Sequence, residues 1–220
     1  MNISEGTNRY ETANSGTGQN RQVLPVLIEF LALLALLIAV VLVINLDVVI
    51  LDNNMSEVSV TEVTQSAFIL VSAIIFAWRS WQDIKSRGYF IAVATLFACM
   101  FVRENDALLD HIYHGSWTVP VAMIAGFGIF YTCRHRDSLA EPLARYFRAR
   151  HTTFILIGLL LLLVFSRLFG TGSLWESVIG AEFAPSVKTV VQEGLELLSY
   201  ALVTYGTILS VAHRETGSDA

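Results

Sequence analysis

The sequence predicts an all-α polytopic membrane protein, a bundle of six transmembrane helices with both termini in the cytoplasm. Hydrophobic residues make up 54% of the 220 residues, and only 15% are charged, whereas an ordinary soluble domain is about 25% charged. Several apolar runs approach or exceed the roughly 20 residues that a spanning helix needs. The net charge of −5 and the lack of a Lys/Arg stripe exclude nucleic acid as an expected partner.

Six segments are long and apolar enough to be predicted as transmembrane helices. The apolar stretch of the first is far longer than the roughly 7–15 residues of a signal-peptide core, so we expect that helix to be retained. Residues 1–22, rich in Asn, Gly, Ser and Thr, are predicted to be a disordered cytoplasmic tail, 23–213 the transmembrane domain, and 214–220 a second cytoplasmic tail. The predicted spans are 23–44, 61–81, 89–110, 117–133, 152–169 and 187–213.

The distribution of basic residues predicts the orientation of these helices. The connection after the second span carries Lys85 and Arg87, and the connection after the fourth carries five arginines between residues 134 and 150. The segments 52–60, 114–118 and 170–186 contain neither Lys nor Arg. Because cytoplasmic loops are enriched in these residues, both termini are predicted to be cytoplasmic, in what we expect to be a bacterial inner membrane.

Ionisable side chains within the spans are concentrated at the predicted outer ends of four helices. Charged residues inside a bilayer are costly, usually face the bundle interior and often mark a functional site. We therefore expect these side chains to converge on one pocket. They are Glu62 on the second span, Arg103, Glu104, Asp106 and Asp110 on the third, Arg167 on the fifth, and Glu193 and Glu196 on the sixth.

The spacing of these residues places them on common helix faces. Glu193 and Glu196 lie three residues apart, on one face of the last span. If the third span continues as one helix, four polar residues at i, i+3, i+7 and i+11 form a continuous stripe. These are Arg103, Asp106, Asp110 and His114.

The predicted pocket contains more carboxylates than arginines. Carboxylates that lie close together in a poor dielectric cannot all remain ionised, so protons or a bound cation must balance them. A mixture of carboxylates and imidazoles suits Zn, Mn or Fe better than Mg or Ca. We therefore expect a divalent metal, with ligands drawn from Asp106, Asp110, His114, Glu193 and Glu196.

The function predicted first is a metal-dependent hydrolase or transferase that acts on a lipid-type substrate, with membrane lipid as the expected partner. The metal would activate a bound water for attack. Glu104 or Glu62 is the candidate catalytic general base. Arg103 and Arg167 are the candidate substrate-binding residues for an anionic headgroup.

Two other functions remain open. A small cation or proton translocator could use the same acids to shuttle protons, although the predicted inner halves of the spans are nearly all apolar. An accessory or assembly subunit could use the polar residues to specify helix packing. The sequence contains no G-x-S-x-G, H-E-x-x-H or P-loop motif that would favour another enzyme class.

Several candidate residues also have a purely structural interpretation, which is weakest for Glu193 and Glu196 because they lie within an otherwise apolar helix. Asp110 and His114 could be solvated residues at the membrane edge. Arg103 could form a structural ion pair with a neighbouring acid. Glu62 could be the first-turn acid of a helix, stabilised by the helix dipole.

Overall fold

The computed structural model describes residues 8–51, 59–111, 113–182 and 184–216. Within these ranges the backbone forms helices joined by turns and bends, with no strand, which confirms the all-α class. Five helices there are long and apolar enough to cross a membrane. They are Val23–Ile50, Val60–Gln82, Ile84–Glu104, Arg150–Phe169 and Ala184–Ala212.

The first helix, α1, runs from Asn8 to Asn45 and continues as a π-helical turn over Leu46–Ile50. Residues 8–22, for which the sequence predicts disorder, are thus helical. Extending an existing helix costs much less free energy than nucleating a new one, so the helix of the apolar span can continue into the polar residues that precede it. The rest of the predicted tail lies outside the described residues. The chain divides into two compact units, Met1–Val41 and Leu42–Ala220.

The start of the second helix, α2 (Val60–Gln82), is held by two capping groups. The fully buried carboxylate of Asp47 accepts hydrogen bonds from the backbone nitrogens of Val60 at 3.0 Å and Thr61 at 2.7 Å. The Ser59 hydroxyl accepts one from the nitrogen of Glu62 at 3.1 Å. Both groups satisfy N–H groups that lack partners within the helix. Asp47 is therefore a capping residue, and Glu62 lies in the first turn.

The third predicted span is interrupted, which corrects the expectation of one helix over 89–110. Helix α3 (Arg87–Glu104) ends at Asn105, where φ is −101° and ψ is 27°, and the short helix α4 (Asp106–Asp110) follows. The Asn105 side-chain amide donates to the carbonyl of Phe101 at 2.8 Å. Such local bonds compete with the helical backbone pattern. The polar stripe from Arg103 to His114 is therefore not continuous.

The remaining helices follow the predicted order. The helix at the fourth predicted span has 17 residues, below the length of the five candidate spans, so the sixth span stays a prediction. The fifth span contains a π-helical turn, Leu161–Phe165, between two α-helical parts. These helices are α5 (Thr118–Arg134), α6 (Ala140–Phe147), α7 (Arg150–Leu160), α8 (Ser166–Phe169), α9 (Gly172–Ile179) and α10 (Ala184–Thr216).

Helix α10 packs against α2 and α7, while α3 packs against α2 and α5. Two glycines allow α7 and α10 to approach closely. A Cβ atom on Gly158 would lie 2.6 Å from the carbonyl oxygen of Ser199, and one on Gly206 would lie 2.7 Å from that of His151. Small residues permit this kind of close packing between membrane helices. Polar side chains of α10 form hydrogen bonds to residues of α2, α3 and α8.

Candidate functional site

A cavity of about 490 Å³, here named the acidic cavity, lies between α2, α3, α4, α8 and α10. Seven of the nine predicted site residues line it, which is the convergence that the sequence predicts. Five of the seven are carboxylic acids and two are arginines, so the lining carries excess negative charge when all are ionised. The seven are Glu62, Arg103, Glu104, Asp106, Arg167, Glu193 and Glu196.

Glu196, on α10, is the most buried acid of the acidic cavity, with 6% of its surface exposed. Its Oε1 accepts a hydrogen bond from Nε2 of Gln192 at 3.2 Å and lies 3.1 Å from the hydroxyl of Ser166. Arg167 is more distant, with its Nη2 at 3.7 Å. Neutral groups therefore provide the closest contacts of this carboxylate, and the arginine is only a loose ion-pair partner.

The hydroxyl of Ser166 can accommodate two charge states of Glu196. It lies 2.8 Å from the carbonyl of Leu162 as well as 3.1 Å from Glu196 Oε1, and its single hydrogen can serve one acceptor at a time. When Glu196 is ionised, Ser166 can donate to it. When Glu196 is protonated, the acid can donate to Ser166, which then donates to Leu162.

Glu193 is held by Gln65, a fully buried residue of α2. The Gln65 amide nitrogen donates to the Glu193 carbonyl at 3.0 Å and to its carboxylate at 3.2 Å. Gln65 Oε1 is buried and has no hydrogen-bond partner among the described residues. A buried amide oxygen without a protein partner is costly unless a water, ion or ligand bonds to it, so this atom is available to a group bound in the cavity.

Glu104, the last residue of α3, is bonded across the cavity to α10. The hydroxyl of Tyr200, which is 3% exposed, donates to Glu104 Oε2 at 2.7 Å. Glu104 also interacts electrostatically with Glu193 and Glu196. Three carboxylates from two helices thus act on one another in one cavity.

Arg103 and Asp106 form an ion pair at the exposed rim of the acidic cavity. Their closest atoms, Nη1 and Oδ2, are 2.7 Å apart. The guanidinium of Arg103 also lies 5.8 Å from the ring centre of Trp117. These contacts fit the structural interpretation of Arg103 as a neutralising partner, while leaving its side chain accessible at the rim.

Asp110 and His114 are not among the residues that line the acidic cavity. They pair with each other, with 3.1 Å between Asp110 Oδ2 and His114 Nδ1, and the His114 side chain is fully exposed. Asp110 also accepts a hydrogen bond from the nitrogen of Gly115 at 2.9 Å, which fixes the following turn. Both residues lie beyond the break at Asn105, so they do not continue the face of α3 that carries Arg103, and α4 reaches the cavity with residues 106–108 but not with Asp110.

In the part of the chain that the structure describes, no three His, Cys, Asp or Glu side chains are arranged to hold a metal ion. Two members of the predicted ligand set, Asp110 and His114, are directed elsewhere. A divalent metal therefore stays a prediction from the sequence.

The site contains three residues that the sequence-based assignment omitted: Gln65, Ser166 and Tyr200. Each supplies a neutral hydrogen-bond contact to one of the three interacting carboxylates. Gln65 lies three residues after Glu62, and Tyr200 lies four after Glu196, so helical spacing was an available signal for these two. Nothing in the sequence pattern indicated Ser166.

No family model, curated protein or solved structure matches the chain.

Proposed function

We propose that this integral membrane protein is an enzyme that carries out acid–base hydrolysis or group transfer on a lipid-type substrate in the acidic cavity. The observation that carries the proposal is the grouping of Glu104, Glu193 and Glu196, held mainly by neutral partners. Acid–base catalysis needs one group that donates a proton and another that accepts one. Interacting carboxylates can provide both, because close like charges favour sharing a proton.

Glu196 and Glu104 are the residues to which we assign proton transfer. Glu104 would take a proton from the attacking water or hydroxyl as its oxygen bonds to the substrate. Protonated Glu196 would give its proton to the oxygen of the leaving group as the old bond breaks. Ser166 supports this assignment for Glu196, because it can partner both charge states.

The lining of the cavity suits a substrate with a charged head and an apolar body. Arg167, with 56% of its side chain exposed, could bind an anionic headgroup through charge-assisted hydrogen bonds. Val63, Leu108 and Leu163 also line the cavity and are exposed on the surface of the bundle. Exposed apolar residues beside a polar cavity are what lateral entry of a lipid requires.

The decisive experiment uses purified full-length protein in vesicles made from a total bacterial lipid extract. Mass spectrometry would detect lipid species that are consumed or formed. We expect Glu196→Gln, which conserves shape, to abolish turnover, and Glu176→Gln, on exposed α9, to leave it unchanged. Turnover by Glu196→Gln at the wild-type rate would refute the assignment. No turnover by the wild type, combined with loss of assembly in Glu196→Gln, would favour the accessory-subunit function.

Metal dependence is a separate part of this proposal. The predicted Zn, Mn or Fe ion would balance the carboxylates and activate water in place of direct proton transfer by Glu104. Turnover would be measured before and after exhaustive dialysis against a chelator. Turnover that persists supports the carboxylate mechanism, and loss that is restored by one metal supports a metal-dependent one.

We further propose six spans, with both termini in the cytoplasm of a bacterial inner membrane. The Lys/Arg distribution supports this orientation. Native Cys133 is exposed at the end of α5 and provides a reporter. In a Cys99→Ser background, a membrane-impermeant maleimide should label Cys133 only after permeabilisation. An added Ser177→Cys on α9 should be labelled in intact cells, and the reverse pattern would invert the topology.

Proton or small-cation translocation is a second candidate, because buried polar groups continue along α2 and α10 beyond the acidic cavity. The hydroxyls of Ser72 and Thr204 lie 3.1 Å apart. Further along, Arg79 donates to Ser210. Vesicles with an internal pH-sensitive dye test this function. A proton flux that Glu196→Gln removes and Glu176→Gln preserves would place translocation above hydrolysis.

A further inference from the structure

A second cavity, here named the basic cavity, has a volume of about 480 Å³ and lies at the other end of α2 and α10. Along α2, Arg79 is separated from Glu62 by about 25 Å, given a rise of about 1.5 Å per residue. The lining of the basic cavity has the opposite charge to that of the acidic cavity, because it contains three cations and one carboxylate. The polar residues that line it are Arg79, Asp83, Lys85, Arg145, Tyr146, His151 and Ser210.

Arg79 is a buried cation held in a fixed orientation, with 3% of its surface exposed. Its Nη1 donates to the Ser210 carbonyl at 2.8 Å and hydroxyl at 3.0 Å, and its Nη2 donates to the Tyr146 hydroxyl at 2.9 Å. The ring of Phe90 lies 4.5 Å from its Cζ. A guanidinium held in this way contributes a fixed positive charge beneath the cavity and loses no side-chain freedom when an anion binds above it.

Lys85 and Arg145 lie at the exposed mouth of the basic cavity. Arg145 donates from Nη2 to the hydroxyl of Ser86 at 2.9 Å, a neutral partner. Neither cation forms an ion pair with a carboxylate anywhere in the described ranges. Two accessible cations above one buried cation are a suitable arrangement for an anion with several acceptor oxygens.

We propose that the basic cavity binds a phosphate group, supplied either by the headgroup of an anionic phospholipid or by a soluble phosphate. A phosphate offsets the excess positive charge and accepts hydrogen bonds from several donors at once. Basic pockets between membrane helices on the cytoplasmic side are typical headgroup sites. This inference does not depend on the chemistry proposed for the acidic cavity.

The test measures binding by calorimetry to purified full-length protein in detergent. The probes are inorganic phosphate, dihexanoyl-phosphatidylglycerol, and dihexanoylglycerol as the lipid without phosphate. Lys85→Gln combined with Arg145→Gln removes the two cations at the mouth. Arg134→Gln combined with Arg136→Gln is the matched control, because it removes the same charge from exposed positions outside the cavity lining.

We expect the cavity variant to bind roughly tenfold more weakly or worse, as the loss of charge-assisted hydrogen bonds implies, and the control to bind like the wild type. Binding of inorganic phosphate indicates that a soluble anion suffices, and binding of phosphatidylglycerol alone identifies a lipid headgroup. The proposal is overturned if neither phosphate probe binds more tightly than dihexanoylglycerol, or if both variants lose affinity equally.

Discussion

Replacing Tyr200 by Phe removes one hydroxyl from the acidic cavity and leaves the ring in place. That hydroxyl donates to Glu104 Oε2 at 2.7 Å, and Tyr200 is almost fully buried. A hydrogen bond to a charged acceptor contributes about 1.5–3 kcal/mol. We therefore expect Tyr200→Phe to lower the free energy of unfolding by about that amount, because the Glu104 carboxylate loses its donor.

The measurement is reversible unfolding in mixed micelles of a mild detergent and SDS, followed by circular dichroism. A double-mutant cycle with Glu104→Ala isolates the contact, since Tyr200→Phe should cost little once the carboxylate is absent. Residues in direct contact typically show coupling of about 0.5–3 kcal/mol. Tyr113→Phe is the control, because Tyr113 is exposed and should change stability by less than about 0.5 kcal/mol.

Additive effects of the two substitutions would refute this reasoning. If Tyr200→Phe destabilised the Glu104→Ala protein as much as the wild type, the hydroxyl would have to act through another partner. A change in Tyr113→Phe equal to that in Tyr200→Phe would show that the assay reports loss of any tyrosine hydroxyl.

Three further predictions concern helix packing, helix capping and a residue that lies outside the acidic cavity. Gly158→Ala should destabilise the protein by about 1–3 kcal/mol, because the new Cβ would lie 2.6 Å from the carbonyl oxygen of Ser199. Gly172→Ala is the control in the same unfolding assay, since the space around Gly172 is open. Asp47→Ala should cost about 1–3 kcal/mol, since the backbone nitrogens of Val60 and Thr61 lose their acceptor while Ser59 still caps Glu62, and amide exchange at Thr61 should accelerate. His114→Ala should leave both the free energy of unfolding and lipid turnover unchanged, because the His114 side chain is fully exposed. A loss of turnover would show that His114 takes part in the reaction.

Local composition was sufficient to predict the helical class and the segments that contain the candidate spans. Long apolar runs have few alternatives to helices, since a bilayer offers no partners for backbone N–H and C=O groups. The grouping of Glu104, Glu193 and Glu196 could also be predicted, because charges avoid lipid and therefore face the interior.

The third span shows where this reasoning failed. A prediction from hydropathy and helical spacing counts Asn105 as a helical residue. In the structure the Asn105 side-chain amide donates to the carbonyl of Phe101, and α3 ends at this position. The spacing argument for Asp110 and His114 depended on an unbroken helix. The break at Asn105 ends that continuity, and Asp110 and His114 do not line the cavity although Asp106 does.

The amino-acid sequence by itself determined which segments are apolar enough to be candidate spans and which of their ends carry charge, because both follow from the affinity of individual side chains for lipid or water. Only the tertiary structure decided the partners of the buried carboxylates, since Gln65 and Tyr200 meet Glu193 and Glu104 through helix packing. Ser166 reaches Glu196 just after the π-helical turn Leu161–Phe165. Such a turn shifts the helical register, and the pattern of apolar residues does not encode that shift.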